Sequence, residues 1–202
     1  MLNIKTRQQY LKNLGLYKGK IDKIEGKLTK EAYLKLQKKY FPKQEQDGIY
    51  GKNTEILLRN AERVRIYTKN FKLEEFKCGC KSKYCTGYHK LLNKTLLKYI
   101  QSVRDKYGST TITSGLRCPR FNTICGGASF SKHMEGKALD FYNEGTRTYT
   151  KRVELIKWFI KKINATYAYC YKYGKTKWTT YTGSHPSCNY PEMGNAVHID
   201  VK

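Results

Sequence analysis

The N-terminal third of the chain carries apolar side chains at helical spacing. Within residues 1–63, leucine, isoleucine, alanine and tyrosine return every three or four positions in three stretches, as on the buried face of an amphipathic helix. We predict helices that begin near Thr6, Thr29 and Thr54, because a threonine hydroxyl can accept a hydrogen bond from a free N–H group of a first turn. The second and third starts each follow a turn that contains aspartate and glycine. The segment is therefore predicted to be a three-helix bundle with a repeated turn.

Beyond residue 70 the pattern mixes helical stripes with strand-like runs. A stripe of apolar residues predicts a helix over residues 89–107 that ends at Gly108, and a second helix is predicted over residues 151–163. β-Branched and tyrosine-rich runs predict strands, two of which pair as a hairpin. The predicted strands are residues 110–114, 166–171, 177–181 and 196–200. Helices packed on a small antiparallel sheet form an α+β domain.

The chain is predicted to contain two domains. Residues 64–70 are polar and charged and are interpreted as a linker between residues 1–63 and residues 71–202. Apolar residues make up 39% of the chain and aromatic residues 13%, which suffices for packed cores. No apolar run approaches the roughly 20 residues of a membrane helix, and the N-terminus has no signal-peptide core. We therefore expect a cytoplasmic protein with no export signal of its own.

The charge is strongly basic. Lysine and arginine number 40 against 16 acidic residues, a formal net charge of +24. This excess predicts attraction to a polyanion, such as nucleic acid or the teichoic acids of a bacterial wall, although a solvated lysine-rich surface explains it equally well. Nucleic acid is the weakest of these hypotheses, since the sequence has no helix-turn-helix, aromatic RNA-binding motif or zinc-finger pattern.

The segment from Ser131 to Asp140 is the strongest candidate for chemistry. It places His133 and Asp140 seven positions apart, with small residues between them that allow a tight bend. A second imidazole, His198, lies in the predicted C-terminal strand. Two neutral imidazoles and one carboxylate form a three-ligand set for tetrahedral zinc, with one position left for water, as in hydrolytic sites. The alternative is that each histidine is only packed or exposed, as single histidines commonly are.

Seven cysteines without a signal peptide favour free thiols over a disulfide framework. Three of them lie near a histidine in a set that is chemically suited to a structural zinc: Cys78, Cys80, Cys85 and His89. Their spacing matches no common zinc finger, so free thiols are favoured over this second metal. A further alternative is that Cys118 and Cys125 stabilise the loop before the histidine motif.

Four motifs follow one another in the second domain. Residues 113–122 read Thr-Ser-Gly-Leu-Arg-Cys-Pro-Arg-Phe-Asn, and they precede Gly-Gly-Ala at 126–128, Ser-x-His-x2-Gly-x-Ala-x-Asp at 131–140 and His-Ile-Asp at 198–200. In this order they closely resemble the M15 family of zinc peptidases, which includes D-Ala-D-Ala carboxypeptidases and the L-alanyl-D-glutamate endopeptidases of phage endolysins. The resemblance covers about two-thirds of the chain and agrees with the α+β class.

The resemblance implies roles for particular residues. His133, Asp140 and His198 would hold a catalytic zinc. Arg117 would reach the substrate and support charge in the transition state. Ser131 would hydrogen-bond the peptide substrate, although capping of the local turn explains this serine nearly as well.

The catalytic base is where the sequence departs from the family. Several M15 enzymes place an aspartate or glutamate three residues before the last zinc ligand, where this chain has Asn195, and Ala196 stands where another histidine is frequent. The candidates for the base are therefore Asp200, Glu192 and His185. Because strand side chains alternate, Asp200 shares a face with His198, and we favour it as the partner that orients that imidazole.

The two turns of the first domain, taken in order, resemble the three-helix peptidoglycan-binding domain found beside many wall hydrolases. Lys23 departs from the pattern, since glycine is usual there, and it is expected to alter the turn but not the fold. The resemblance implies that glycan or stem peptide binds near the turns, with Tyr17 and Tyr50 as candidate contacts.

Together the resemblances imply a monomeric wall hydrolase whose partners are peptidoglycan and anionic wall polymers. An L-Ala-D-Glu endopeptidase of the endolysin type, released from the cytoplasm to the wall, is favoured over a D-Ala-D-Ala carboxypeptidase. The remaining alternative is a wall-binding protein with weak catalysis, which Asn195 and Ala196 motivate.

Overall fold

The computed structural model describes residues 1–163, 167–171, 178–180 and 195–202. The helices of these residues are α1 Ile4–Asn13, α2 Lys27–Tyr40, α3 Lys52–Tyr67, α4 Lys94–Tyr107, α5 Pro119–Ile124 and α6 Tyr149–Ile163. The strands are β1 Thr110–Ser114, β2 Ala138–Asn143, β3 Tyr167–Tyr171, β4 Trp178–Thr180 and β5 Val197–Asp200. The predicted α+β class is confirmed. Within the described ranges no helix has both the length and the apolar character that a membrane span needs.

The three helices of the N-terminal bundle begin two residues earlier than predicted. Helix α1 is capped by Asn3, whose side chain accepts a hydrogen bond of 2.9 Å from the backbone N–H of Thr6. Helices α2 and α3 follow glycines, and Thr29 and Thr54 occupy their third positions. Both hydroxyls are buried and donate back to the preceding turn, so these threonines tie each helix to its turn instead of capping it.

The first turn is organised by the buried side chain of Gln8 on α1. Its amide nitrogen donates to the carboxylate of Asp22 at 2.7 Å and to the backbone oxygen of Ile24 at 3.0 Å. Its amide oxygen accepts from the backbone N–H of Lys23 at 3.1 Å. A buried amide that is satisfied at both ends holds the turn in one conformation.

The second turn repeats this arrangement around Gln37 on α2. Its amide nitrogen donates to Asp47 at 2.8 Å, and its oxygen accepts from the N–H of Gly48 at 2.7 Å. Gly48 has φ 73° and the equivalent Lys23 has φ 65°, so both lie in the left-handed region. The structure confirms that the lysine leaves the fold unchanged, although a side chain in this region costs roughly 1 kcal/mol compared with glycine.

The predicted linker at residues 64–70 is wrong, because α3 continues to Tyr67 and connects the two domains directly. The side-chain amide of Asn60 on this helix donates to the backbone oxygen of Lys90 at 2.8 Å and accepts from the N–H of Leu92 at 2.9 Å. Buried apolar residues of both domains belong to one hydrophobic cluster. The polar composition after position 63 indicated a linker, but residues 64–67 form the last turn of α3, with Val64 buried and Arg65 and Ile66 exposed.

The second domain is built around a five-stranded antiparallel sheet with strand order β1-β2-β5-β3-β4. The predicted strands at its edges and C-terminus, including the hairpin of β3 and β4, are confirmed. Strand β2 and the short helix α5 were not predicted, since β2 is buried at five of its six positions and lacks the alternation of a half-buried strand.

Two helices pack against this sheet. Helix α4 begins at Lys94, five residues later than predicted, because the side chain of Asn93 caps it by accepting from the N–H groups of Thr95 and Leu96. Gly108 ends it with φ 87°, as predicted. Helix α6 begins two residues before the predicted start, and its buried residues include Leu155, Ile156 and Phe159.

Candidate active site

The sheet brings together the three predicted metal ligands. Asp140 on β2 and His198 on β5 are direct partners in the antiparallel register at the centre of the sheet. His133 precedes β2 in a turn that Gly136 makes possible, since this glycine has φ 70° and a Cβ there would collide with the backbone oxygen of Leu91. One ligand atom from each of the three side chains lies within 4.8 Å of the other two.

His133 presents a lone pair to this group. Its Nδ1 lies 2.7 Å from the backbone oxygen of Gly115, which can only accept, so Nδ1 carries the proton. Burial lowers the pKa of His133, and the ring is therefore neutral with a lone pair on Nε2. That nitrogen is buried without a hydrogen-bond partner among the described residues and lies 3.3 Å from a carboxylate oxygen of Asp140. The lone pair on Nε2 and the negative carboxylate of Asp140 repel each other, and a cation bound between them would turn this repulsion into attraction to both.

His198 is placed between two carboxylates. Its Nδ1 lies 2.7 Å from Asp140 and its Nε2 lies 3.8 Å from Asp200. Burial alone would lower the pKa of His198, but the interactions with both carboxylates raise it to about 9. Burial alone would likewise raise the pKa of Asp140, whereas the two neighbouring imidazoles hold it well below its usual range. The ring of Tyr169 on β3 stacks on His198 with the centroids 4.6 Å apart.

Arg117 lies beside the metal-ligand group. Its Nη2 donates to Asp140 at 2.6 Å and its Nε donates to the hydroxyl of Ser114 at 2.8 Å. Its backbone N–H donates to the backbone oxygen of His133 at 3.2 Å. Sequence reasoning found Arg117 through its motif but missed Ser114, which the end of β1 places within reach. The guanidinium is thus held in one orientation at the edge of the site, with its side chain 17% exposed.

The remaining predicted residues around the peptidase site fall into two groups. Ser131 is partly buried, and its backbone N–H and C=O groups form hydrogen bonds in the turn before β2, consistent with the turn alternative. Asp200 is buried beside His198, as expected. Glu192 and His185 lie outside the described residues.

The side chains of His133, Asp140 and His198 form a ligand set that suits a divalent metal ion. Three buried side chains offer two imidazole nitrogens and a carboxylate, the donor set that zinc prefers in catalytic sites with three protein ligands. All three have partners that orient them: Gly115 accepts the Nδ1 proton of His133, Arg117 donates to Asp140, and Asp200 faces the second nitrogen of His198. Such outer partners fix which nitrogen faces the metal.

The cysteine prediction needs a correction. Cys78, Cys80 and Cys85 do lie together, but the fourth member of their group is Cys118 and not His89. His89 is partly buried, and its ring does not belong to the group that the four sulfurs form. Cys118 follows Arg117 at the start of α5, so no spacing rule within the 78–89 segment could have found it.

The tyrosines predicted to bind the wall lie at the repeated turns of the bundle. Tyr17 is 5% exposed, and its hydroxyl donates to the backbone oxygen of Lys20 at 2.7 Å, so its visible role is to support the first turn. Tyr50 lines a surface groove of about 750 Å³ between the two turns. The guanidinium of Arg7 lies over its ring, 3.8 Å from the centroid.

Comparisons with known proteins agree with this geometry. Residues 69–166 match the family model of Peptidase M15, and residues 2–58 match the model of a peptidoglycan binding domain. No curated protein matches the chain. The peptidase match contains His133 and Asp140, and β5 adds His198 from beyond it. The chain therefore joins an N-terminal domain that matches the peptidoglycan-binding model to a domain that matches Peptidase M15, and this pair supports a metallopeptidase that acts on peptidoglycan.

Proposed function

We propose that the protein hydrolyses a peptide bond in the stem peptides of peptidoglycan with a zinc ion held by His133, Asp140 and His198. The observation that carries this proposal is the buried, unpaired Nε2 of His133, which faces Asp140 at 3.3 Å in a group that also contains His198. Bound there, zinc would supply an acidified water at neutral pH and a Lewis acid for the scissile carbonyl.

Arg117 is proposed to stabilise negative charge on the substrate. Its guanidinium is anchored by Ser114 and Asp140 and still has N–H groups that neither partner uses. An oriented cation at the edge of a buried site favours the charge that develops when a carbonyl is attacked. This role is consistent with its position one residue before Cys118, in a segment held by backbone contacts to His133.

Asp200 is proposed to position His198, and not to serve as the base. It faces the nitrogen of His198 that points away from Asp140, so it would hold the proton there and leave the other nitrogen free for the metal. Glu192 and His185 then stay as the candidates for the group that takes a proton from the attacking water.

The wall is proposed to bind in the groove between the two repeated turns. Ile24 and Ile49 occupy equivalent positions in those turns and are 64% and 65% exposed, which is unusual for large apolar side chains at two related places. The net charge of +24 would add attraction to anionic wall polymers.

A wall-binding experiment tests the groove. In the full chain, Ile49→Asn should weaken co-sedimentation with purified sacculi by several fold, because it removes exposed apolar surface from the groove. Ile66→Asn is the matched control, since Ile66 is also exposed but lies on α3 away from the groove. Equal loss in both variants would mean that the groove is not the contact.

The proposed bond is L-Ala-D-Glu, as in endolysin-type endopeptidases, because a wall-binding domain suits an enzyme that works along an intact polymer. Tethering raises the effective substrate concentration even when each domain binds weakly. A D-Ala-D-Ala carboxypeptidase is the alternative, and a wall-binding protein with little catalysis is a second one, motivated by Asn195 and Ala196 near β5.

Mass spectrometry of the products from purified sacculi separates these outcomes. The endopeptidase gives a new amine terminus on D-glutamate, and a carboxypeptidase releases free D-alanine. Activity should disappear in a chelator and return with added zinc. If neither product forms with zinc present, the wall-binding alternative replaces the proposal.

A further inference from the structure

We propose that Cys78, Cys80, Cys85 and Cys118 hold a second metal ion, a structural zinc, at a site separate from the candidate active site. The four sulfur atoms lie within 4.8 Å of one another. They come from two segments that are more than thirty residues apart in the chain. This inference does not rest on the proposed peptide bond or on catalysis.

The distances suit one tetrahedral ion. With zinc–sulfur bonds of about 2.3 Å, the sulfurs of a tetrahedral site lie roughly 3.8 Å apart. Cys80 and Cys85 lie 3.5 Å apart, which is close to this value and far longer than the roughly 2.05 Å of a disulfide. None of the four cysteines forms a disulfide in the described part of the chain.

Backbone N–H groups point at the sulfurs. The N–H of Cys118 donates to the sulfur of Cys78 at 3.2 Å, and the N–H of Gly87 donates to the sulfur of Cys85 at 3.3 Å. Donors of this kind stabilise the negative charge of thiolates and orient metal ligands. The two hydrogen bonds therefore favour thiolates that bind a metal over neutral thiols that only fill space.

The turn between Cys80 and Cys85 is unfavourable without a further stabilising contact. Lys81 and Ser82 are consecutive residues with φ 52° and 65°, a left-handed conformation that costs side-chain-bearing residues stability. Such a conformation persists only where the surroundings hold it in place. An ion bound by the cysteines on either side would do so.

Burial argues against four unrelated thiols. Cys78, Cys80 and Cys118 are buried and Cys85 is partly buried. By contrast, Cys170 in the sheet and Cys125 at the end of α5 belong to no group of metal-ligating side chains within the described residues. Four thiolates brought together from two segments need a cation to offset their charge, and a tetrahedral set of four sulfurs suits zinc.

The proposed ion would act as a structural brace for the active site. Four protein ligands leave no open position, which distinguishes a structural zinc from a catalytic one. Cys118 directly follows Arg117, and the adjacent N–H of Leu116 donates to the backbone oxygen of Phe76 at 3.0 Å. The ion would therefore fix the segment that carries Arg117 to the loop at residues 78–85.

Metal analysis of the purified full chain tests the proposal. Mass spectrometry of the metals should find about two zinc ions per chain in the wild type and about one in Cys118→Ser. Cys125→Ser is the matched control and should keep both, because Cys125 lies outside the group. An unchanged zinc count in Cys118→Ser, or iron in place of the zinc that this variant loses, would overturn the proposal.

Cobalt substitution tests the site without a cysteine variant, so its result does not depend on the folding of Cys118→Ser. His133→Ala loaded with Co²⁺ should still show the strong thiolate-to-cobalt charge-transfer absorption, because the cysteine group contains no imidazole. In the zinc-loaded wild type, a thiol reagent should release one zinc as four thiols react together. Absence of the cobalt band, or thiol reaction without zinc release, would contradict the site even if the enzyme hydrolyses sacculi normally.

Discussion

Two groups of side chains that could hold a metal ion lie in the peptidase domain, and they differ in how the chain positions them. His133, Asp140 and His198 are positioned by the register of β2 and β5 and by the turn before β2. The cysteine group is positioned by loops and by backbone N–H groups that point at sulfur. The first group has charged side chains around it, whereas the contacts to the second come from the backbone.

This difference corresponds to different chemistry. The histidine and aspartate group offers three ligands, so a bound ion keeps a coordination position for reaction, and Arg117 and Asp200 lie next to it. The cysteine group offers four ligands and would close the coordination of its ion. One domain can thus use the same metal for catalysis at one site and for structural stabilisation at another.

The largest effect is expected from His133→Ala. Loss of one of three ligands should lower the rate of amine release from sacculi by about 10³-fold or more, since metal activation is worth several kcal/mol. The zinc count should fall by one while the cysteine-bound ion stays. Lys132→Ala, which changes the exposed neighbour, is the control and should keep both ions and activity. Retention of most activity in His133→Ala would remove the catalytic role of this group.

A smaller effect is expected from Asp200→Asn. The amide keeps the size of the side chain but weakens the charge that faces Nε2 of His198, so zinc affinity or activity should fall about 10- to 100-fold. A competition titration with a zinc indicator measures the affinity of the active site. The cysteine-bound zinc should be unaffected, and the exposed Lys202→Ala serves as the control. An equal change at both sites would indicate a general loss of stability.

Arg117→Lys should reduce kcat/KM by about tenfold, because lysine keeps the charge but cannot contact both Ser114 and Asp140 with a planar fork. We expect the loss mainly in kcat if Arg117 supports the transition state. The exposed Arg120→Lys is the matched control on the same segment. Steady-state kinetics on a soluble stem peptide measure both constants, and a change in KM alone would assign Arg117 to substrate binding.

The smallest effect on rate is expected from Cys85→Ser. At 25 °C its activity should fall by less than about tenfold, because no cysteine belongs to the reacting group, while the unfolding temperature drops by several degrees. Thermal unfolding followed by circular dichroism measures the stability. Complete loss of activity in a variant that remains folded would mean that the cysteine group takes part in the reaction.

Local sequence was sufficient for features that depend on nearby residues. The repeated turns were predicted from aspartate, glycine and threonine at fixed spacing, and their Gln8 and Gln37 hydrogen bonds now explain why the pattern recurs. The motif around His133 and Asp140 was found because a tight bend requires small residues. His198 was predicted from its imidazole in a short β-branched run near the C-terminus, and the family resemblance linked this strand to the motif.

Features that depend on distant residues were missed or wrong. The fourth member of the cysteine group, Cys118, lies 33 positions after Cys85. The hydrogen bond that sets the tautomer of His133 is accepted by the backbone oxygen of Gly115, and a backbone group cannot be recognised from residue type. The linker prediction failed because the packing of α3 against the loop at Lys90 and Leu92 is invisible in the polar sequence of residues 64–70.

The sequence by itself determined the helical bundle, the α+β class and the candidate set of His133, Asp140 and His198, because turn chemistry and motif spacing are local and the family resemblance links the two histidine motifs. Only the tertiary structure decided which residues complete each site. Strand pairing placed Asp140 opposite His198, and the approach of two loops joined Cys118 to the other three cysteines. The physical reason is that ligands of one ion must converge in space, whereas chain order constrains only those that are neighbours.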